Sequence, residues 1–489
     1  MEVTGKERYF NGKNKNPILF NLLYPVILDG IKKAVAVSKE QLFYRPSYFD
    51  YPEIKYWPNG LPNISKTTFG NSPLVKYEAY FESYSKETLP KIILEELSGY
   101  KEVHSYLCEN EDYKRIYAYP GKEEEWEFDI KLIEVNINTH IKGIVAKALH
   151  TWGEDVSLSE EDFLEVYLPI ENSIYSKELP VAFFIPILFL NFDIDSFQFS
   201  DSISLVKMDE NDHLSRIGVT TYSESISDTV LSAATHALVI EGYKMTNGNK
   251  YLTSNSLSNI NSFPLEEINY FFNALRIVIE HPTGYAQVLS KPINWTYAYK
   301  SDLIAFHGAS TRAYPYEFNQ HYWLEPSIPV VSIEELKSIA TIYTGLKGQE
   351  NKKIQLACKR LESCFLRKDE RDIIIDAVIG LETLLSDYDK GELTHKLSMR
   401  ISFLLQMSSL NQSKLDIFKN MKHIYSYRSM IVHGDAKAEN KKVIKRDNQE
   451  PVSTADLAVT YLKECIMIMI NNAEYLNAKM IDEKIILSN

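Results

Sequence analysis

The feature that most restricts the fold is a run of amphipathic segments that fills the chain from Ser332 to its last residues. Six stretches carry apolar residues at helical spacing, and short connections separate them. We predict helices near residues 332–346, 350–367, 369–387, 391–407, 412–433 and 453–478. Ser332 and Glu335 form a capping box at the start, and Gly434 ends the fifth helix. Amphipathic helices with short connections favour an up-and-down bundle, so residues 332–489 are predicted to form an all-α domain.

Residues 1–325 have a different pattern, in which strand-like stretches alternate with turn residues. Strands are predicted at 125–136, 180–192, 202–206, 236–245 and 285–299. One helix is predicted at 265–280, where His281-Pro282 stops the pattern. The expectation is an α+β region that is rich in β structure and could contain a sandwich-like sheet. Residues 1–60 could be a separate subdomain or a covering layer.

The charge is distributed unevenly along the chain. The net charge is −13, which by itself argues against binding to nucleic acid. From Ser332 onward there are 24 Lys/Arg and 22 Asp/Glu, a balance of +2, so the preceding residues carry −15. The helical part also contains a basic run, KKVIKR. Its cations Lys441, Lys442, Lys445 and Arg446 could contact an RNA backbone, and a solvated loop is the alternative.

Several classes of function lack their sequence signals. The four cysteines include no CxxC pair, and the chain has neither an HExxH motif nor a phosphate-binding glycine loop. We therefore expect no metal and no cofactor. The N-terminus has no apolar signal core, and the apolar run at 180–192 is too short to cross a bilayer. These observations predict a soluble, cytoplasmic protein without a membrane partner.

The candidate catalytic residues lie in HIYSYRSMIVHGD, at 423–435. Arg428 and His433 are five positions apart, which on a continuous helix separates them by about 140°. They would face one another only if the helix loosened near its end, which Gly434 could allow. A histidine that titrates near neutral pH can move the proton of a 2′-hydroxyl or a leaving oxygen, while an arginine stabilises the phosphate.

The spacing of this pair is weak evidence when taken alone. Arg276 and His281 repeat it in RIVIEHP, and that copy is predicted to be an exposed arginine and a helix-ending histidine. The surrounding sequence adds more specific evidence. Three segments occur in order: AVIGLETLLSD at 377–387, ELTHKLSMRISFLL at 392–405 and IFKNMKHIYSYRSMIVHG at 417–434. In this order and spacing they resemble the HEPN superfamily, and within it the ApeA-like HEPN proteins of bacterial anti-phage defence.

The resemblance implies ribonuclease activity from Arg428 and His433, in a dimer that brings two copies of the pair together. Glu382 resembles an acidic position of the family and could orient Arg428 or Arg400, or could be an exposed helix residue. Tyr425 could position substrate or could simply pack. Ser429 could donate to a phosphate or could only face solvent. The stretches at 183–208 and 235–243 resemble the N-terminal part of the ApeA-like proteins, which implies a sensor or targeting region.

Two hypotheses about function follow from these patterns. The first is a metal-independent HEPN endoribonuclease of anti-phage defence, which would cleave RNA by 2′-hydroxyl attack and cause abortive infection or growth arrest. It would act as a homodimer or higher homo-oligomer, with a trigger of phage origin as a further partner. The alternative is a non-catalytic HEPN-like module that binds RNA or protein, with an N-terminal domain that senses a ligand. The sequence leaves the RNA target open.

Overall fold

The computed structural model describes most of the chain. The described residues are 14–41, 45–49, 51–66, 74–83, 90–118, 126–219, 226–320, 325–348, 351–387, 392–446 and 449–487. They fall into two compact units, each built from separate stretches of chain. The first unit comprises Met1–Pro186, Gln198–Phe263 and Gln287–Thr311, and the second comprises Ile187–Phe197, Pro264–Ala286 and Arg312–Asn489.

Helices account for most of the regular structure in both units. They are α1 (Pro17–Glu40), α2 (Tyr100–Glu109), α3 (Glu111–Tyr117), α4 (Trp126–Trp152), α5 (Glu160–Tyr175), α6 (Glu210–Ile217), α7 (Asp228–Ser232), α8 (Lys250–Ser258), α9 (Leu265–Ile279), α10 (Ile333–Lys347), α11 (Lys352–Leu366), α12 (Glu370–Leu385), α13 (Leu393–Leu404), α14 (Lys414–Val432), α15 (Thr454–Asn471) and α16 (Ala478–Leu487).

The strands form one large sheet and three small ones among the described residues. They are β1 (Pro52–Tyr56), β2 (Pro62–Lys66), β3 (Glu178–Leu188), β4 (Asn191–Phe192), β5 (Ser196–Ser200), β6 (Ile203–Lys207), β7 (Ala234–Thr246), β8 (Tyr285–Pro292), β9 (His307–Ala313), β10 (Val330–Val331), β11 (Val443–Arg446) and β12 (Gln449–Ser453). The large sheet has six strands in the order β5-β6-β7-β3-β8-β9, and the pairs β1-β2, β4-β10 and β11-β12 are separate.

The six-stranded sheet contains the strands that the sequence predicted between residues 180 and 299. β6 and β7 are antiparallel, with Ile203 opposite Ile240, and β3 pairs antiparallel with β8. Nearly every residue of β3 is buried, as expected of an apolar run that is covered on both faces. The predicted mixture of helices and strands is confirmed. The emphasis on β structure was wrong before β3, where helices take up most of the described chain.

Helix α4 overturns the strand predicted at 125–136. Its buried side chains recur every three or four residues, at Ile133, Ile137, Ile141 and Ile144, which is the period of a helix. The alternation that suggested a strand covers only the first residues of a 27-residue helix. In the core of the first unit, α4 packs against α1 and α2.

The second unit contains the C-terminal helices. All six helices predicted from Ser332 are confirmed as α10 to α15, and α9 packs against α10. The capping box is present, since the Glu335 carboxylate accepts a hydrogen bond of 2.7 Å from the Ser332 backbone N–H. At Gly380, α12 approaches α15 so closely that an added Cβ would lie 2.7 Å from Leu462, so any larger residue would force that side chain to shift. The hairpin β11-β12 between α14 and α15, and the final helix α16, were not predicted.

Candidate active site

The candidate site lies at the C-terminal end of α14. His433 is the C-cap residue, and Gly434 follows it in the left-handed conformation with φ of 68°. The Gly434 backbone N–H donates to the Ile431 carbonyl at 3.0 Å, and that of Asp435 donates to the Met430 carbonyl at 2.9 Å. These two bonds are the Schellman pattern, which satisfies carbonyls that the helix leaves unpaired. The predicted role of Gly434 as the residue that ends the helix is therefore confirmed.

The helix does not loosen before His433. The backbone angles of His433 are still in the right-handed helical region, with φ of −87° and ψ of 0°, and its N–H donates to the Ser429 carbonyl at 3.1 Å. The chain turns only at Gly434. Because the helical path continues to His433, the angular offset of about 140° from Arg428 is retained. Within one chain, the two side chains point away from α14 in different directions.

Arg428 differs from the other described arginines of α10 to α16 because it makes no ion pair. Those arginines are neutralised by carboxylates in the pairs Arg360–Asp376, Arg367–Asp372, Arg371–Glu439 and Arg400–Asp482. Arg428 is half-buried, and its Nε has no hydrogen-bond partner among the described residues. A partly buried guanidinium without an anion is costly unless a ligand supplies one. This is the arrangement expected of an arginine that binds a phosphate.

Tyr425 lies between Arg428 and Glu382. The guanidinium carbon of Arg428 is 5.9 Å from the centre of the Tyr425 ring, a cation–π distance. Burial and then the adjacent Glu382 carboxylate raise the pKa of Tyr425, so the phenol stays protonated at neutral pH. Tyr425 precedes Arg428 by three positions on one helix face, and it can therefore restrict where the guanidinium lies.

Glu382 does not hold Arg400, one of its two suggested roles. The buried Arg400 instead binds Asp482 at 2.8 and 2.7 Å, Asp387 at 2.6 Å and the Leu385 carbonyl at 2.7 Å. Half-buried on α12, Glu382 reaches the site through Tyr425. Arg400 is a structural residue, as its position in this network requires.

His433 and Ser429 complete the predicted set, with different accessibility. His433 is exposed and Ser429 is half-buried. Asp435 is a further residue at the site that the sequence did not single out. Besides closing the end of α14, its carboxylate accepts a 2.9 Å hydrogen bond from the Lys437 N–H and so begins a 3₁₀ turn, Ala436–Lys441. The Gly-Asp pair after His433 was the available signal, because Asp commonly starts such turns.

The basic run lies partly in the hairpin rather than in an irregular loop. The Lys441 carbonyl accepts hydrogen bonds from Thr454 at 2.6 Å and from His423 at 3.0 Å, which fixes the start of β11. Lys442 pairs with Glu370 at 3.0 Å. The Lys445 side chain is exposed, whereas that of Arg446 lies outside the described residues. Of the four predicted RNA contacts, Lys442 is thus already neutralised within the chain.

The second Arg-His copy is not exposed as predicted. The Arg276 side chain is 1% exposed, pairs with Glu362 at 3.3 Å and lies 5.6 Å from the centre of the Phe272 ring. It is buried because α9 packs against α10 and α11. His281 follows the end of α9, as predicted, and Arg276 is not available to a substrate.

Among the described residues, no group of three or more His, Cys, Asp or Glu side chains could hold a metal ion. In the same ranges, none of the helices has both the length and the hydropathy needed to cross a bilayer. Comparisons of the chain with protein-family models, with curated proteins and with solved structures found no match.

Proposed function

We propose that this protein is a metal-independent endoribonuclease of the HEPN type, with Arg428 and His433 as its catalytic residues. The observation that carries the proposal is the state of Arg428, a partly buried guanidinium with no anionic partner in a bundle whose other described arginines are paired. An exposed histidine follows at the capped end of the same helix. Together they supply an anion-binding group and a proton-transfer group.

The reaction would use the 2′-hydroxyl of the RNA as its nucleophile. His433 would remove the proton of that hydroxyl, or protonate the 5′-oxygen that leaves, and Arg428 would stabilise the charge on the phosphorane. The new bond joins O2′ to phosphorus as the P–O5′ bond breaks. The products are therefore a 2′,3′-cyclic phosphate and a 5′-hydroxyl end. Tyr425 and Glu382 would position the guanidinium, and Ser429 would contact a phosphate oxygen.

Two copies of the chain would form the complete site. In one chain, Arg428 and His433 point in directions about 140° apart, and the helix does not loosen to bring them together. A homodimer that crosses two α14 ends could place the arginine of one copy beside the histidine of the other. This arrangement would also give one site both an acid and a base.

The biological role that we propose is anti-phage defence, through RNA cleavage that halts growth of the infected cell. It rests on the resemblance of the segments at 377–387, 392–405 and 417–434 to ApeA-like HEPN proteins. The substrate would be cytoplasmic RNA, with tRNA, rRNA and mRNA as candidates. The first unit would hold the enzyme inactive until a trigger of phage origin arrives.

One observation favours the alternative, a HEPN-like module that binds without cleaving. Near α14, the cations Arg371 and Lys442 are paired with Glu439 and Glu370, at 2.6 and 3.0 Å. Cations that are neutralised within the chain add little attraction for an RNA backbone. A surface of mixed charge is also suited to a protein partner.

The test separates the two functions by the chemistry of the product ends. Purified protein is incubated with total RNA in the presence of EDTA, and the new ends are examined for cyclic phosphate. We expect cleavage by the native chain and its loss in Arg428→Ala and in His433→Ala. The matched controls are Arg371→Ala and His395→Ala, which remove an exposed arginine and an exposed histidine to which the proposal gives no catalytic role.

Cleavage that persists in both site variants would rule out the assignment, and so would equal loss in the control variants. Binding of RNA without cleavage by the native chain would support the binding module instead. A phage challenge of cells that carry each variant then tests the defence role. Protection that survives both substitutions would contradict it.

A further inference from the structure

A cavity of about 540 Å³ lies within the first unit, far along the sequence from the candidate active site. Its lining comes from α4, α5, Asp209 and the segment 291–305, all of which belong to that unit. The volume is in the range of pockets that bind small organic molecules. Part of the wall is apolar and closely packed, since Val166, Leu168 and Trp295 are buried. The Trp295 indole N–H already donates to the Pro180 carbonyl at 2.8 Å, so its ring serves as apolar wall.

Lys147 is the unusual residue of this cavity. Its ammonium group donates to the Asp302 backbone carbonyl at 2.9 Å and lies 5.9 Å from the centre of the Tyr299 ring. The described residues give it no carboxylate within ion-pair distance. Burial lowers the pKa of Lys147, although the charges of Asp302 and Glu165 oppose that change. An ammonium has three N–H donors, so this group retains donors that the protein does not use.

The other charged groups of the lining have partners or face solvent. Lys291 forms an ion pair with Asp212 at 3.2 Å. The Asp302 carboxylate accepts the Tyr51 hydroxyl, at 3.1 Å to each oxygen. Asp209 caps α6 by accepting a 2.7 Å hydrogen bond from the Asp212 N–H. Glu165 is exposed. Of the charged groups that line the cavity, Lys147 would therefore contribute most to the binding free energy of an anionic ligand.

We infer that this cavity binds a small organic acid, whose single carboxylate pairs with Lys147 and whose apolar or aromatic body contacts Trp295 and the adjoining wall. A monoanion is favoured over a phosphate ester because Glu165, Asp209 and Asp302 also line the cavity and would repel a second negative charge. A neutral molecule of the same shape would fill the apolar part but leave the ammonium without an anion. The inference is independent of the proposed ribonuclease activity.

The test compares three probes that share one ring system and differ in charge. Naphthoate, naphthamide and naphthyl phosphate are titrated into the full-length protein by isothermal calorimetry at neutral pH. We expect naphthoate to bind about tenfold more tightly than naphthamide, the difference typical of a hydrogen bond to a charged group. Naphthyl phosphate should bind more weakly than naphthoate.

Two substitutions then assign the site. Lys147→Met removes the ammonium and keeps the length of the side chain, and it should lower naphthoate affinity about tenfold while leaving naphthamide unchanged. Lys291→Met is the matched control, since that lysine lines the same cavity but is already paired with Asp212. Lys291→Met should have little effect on the preference for naphthoate over naphthamide.

The inference is overturned if naphthoate does not bind at millimolar concentration, if naphthamide binds as tightly, or if naphthyl phosphate binds best. It is also overturned if Lys147→Met and Lys291→Met have equal effects. Should Lys147→Met fail to fold, the comparison of the three probes on the native chain still decides whether a carboxylate is preferred. Binding is measured directly, so the result does not depend on any RNA cleavage.

Discussion

Replacing Gly434 by alanine tests the end of α14, on which the position of His433 depends. Gly434 has φ of 68°, a conformation that costs an ordinary L-residue about 1 kcal/mol. No heavy atom lies within 4 Å of the Cβ that alanine would add, so steric contact contributes nothing. The predicted cost is therefore the backbone term alone, about 1 kcal/mol or a fivefold change in the local opening equilibrium. Gly434→Asn should cost less, because asparagine tolerates this conformation better.

Hydrogen exchange measured by mass spectrometry reports this opening directly. We expect Gly434→Ala to speed exchange about fivefold at the amides of residues 434 and 435, which donate to the carbonyls of Ile431 and Met430. The matched control is Gly153→Ala, which has φ of 81° and equally open space, in the first unit. It should speed exchange near residue 153 and leave residues 434 and 435 unchanged. Unaltered exchange at 434 and 435 in Gly434→Ala would refute the capped helix end.

Three further predictions concern other contacts. Arg400→Met should destabilise the protein by about 3 kcal/mol in urea titrations, because it leaves the carboxylate partners of a buried arginine unpaired. The control is Arg371→Met, which breaks an exposed ion pair. If Arg400→Met costs no more than this control, the proposed structural role of Arg400 is contradicted. Burial lowers the pKa of His140 to about 3, so as pH falls below about 6.5 the unfolded chain takes up a proton that the folded chain does not, and stability is lost. His140→Gln should therefore weaken the fall in stability between about pH 6.5 and pH 4, and an unchanged profile would argue against its burial. At the candidate site, Tyr425→Leu should slow RNA cleavage about threefold, whereas Tyr425→Phe, which keeps the ring beside Arg428, should slow it less; equal rates in both variants would exclude a role for the ring.

The C-terminal helices α10 to α15 could be predicted from sequence because their signals are local. Each helix carries a buried stripe at helical spacing, and several begin at a side-chain cap such as Ser332. The end of α14 was predictable for the same reason, since a glycine directly follows the last turn. Local signals also identified Arg428 and His433 as a pair worth testing.

The first 175 residues were predicted less well because local signals there conflict. Helix α1 has a clear start, with Asn16 as the cap and Pro17 in the first turn, but Pro25 lies inside it and hides its length. In α4, the alternating residues at its start obscured a helical repeat that continues for about four further turns. Burial against neighbouring helices decides whether such a segment is a helix or a strand, and a short stretch of sequence does not contain that information.

The environment of the site depends on contacts between distant residues. Arg400 forms an ion pair with Asp482, which lies 82 positions later, and Lys442 forms one with Glu370 at the start of α12. These pairings decide which arginine remains without an anion. No sequence pattern distinguishes Arg428 from Arg400 in this respect, so the unpaired guanidinium could be recognised only once the helices were in place.

The interleaving of the two compact units has a consequence for how activity could be controlled. Helix α9 and strand β4 belong with the C-terminal bundle, yet residues 287–311, which follow them in the chain, belong to the other unit. A single proteolytic cut between α9 and residues 287–311 would therefore separate each unit from part of its own core. Proteolytic liberation of the bundle is therefore a poor route to activation. A fragment that starts at Ser332 would expose the apolar face of α10 that α9 covers, and we expect such a fragment to aggregate.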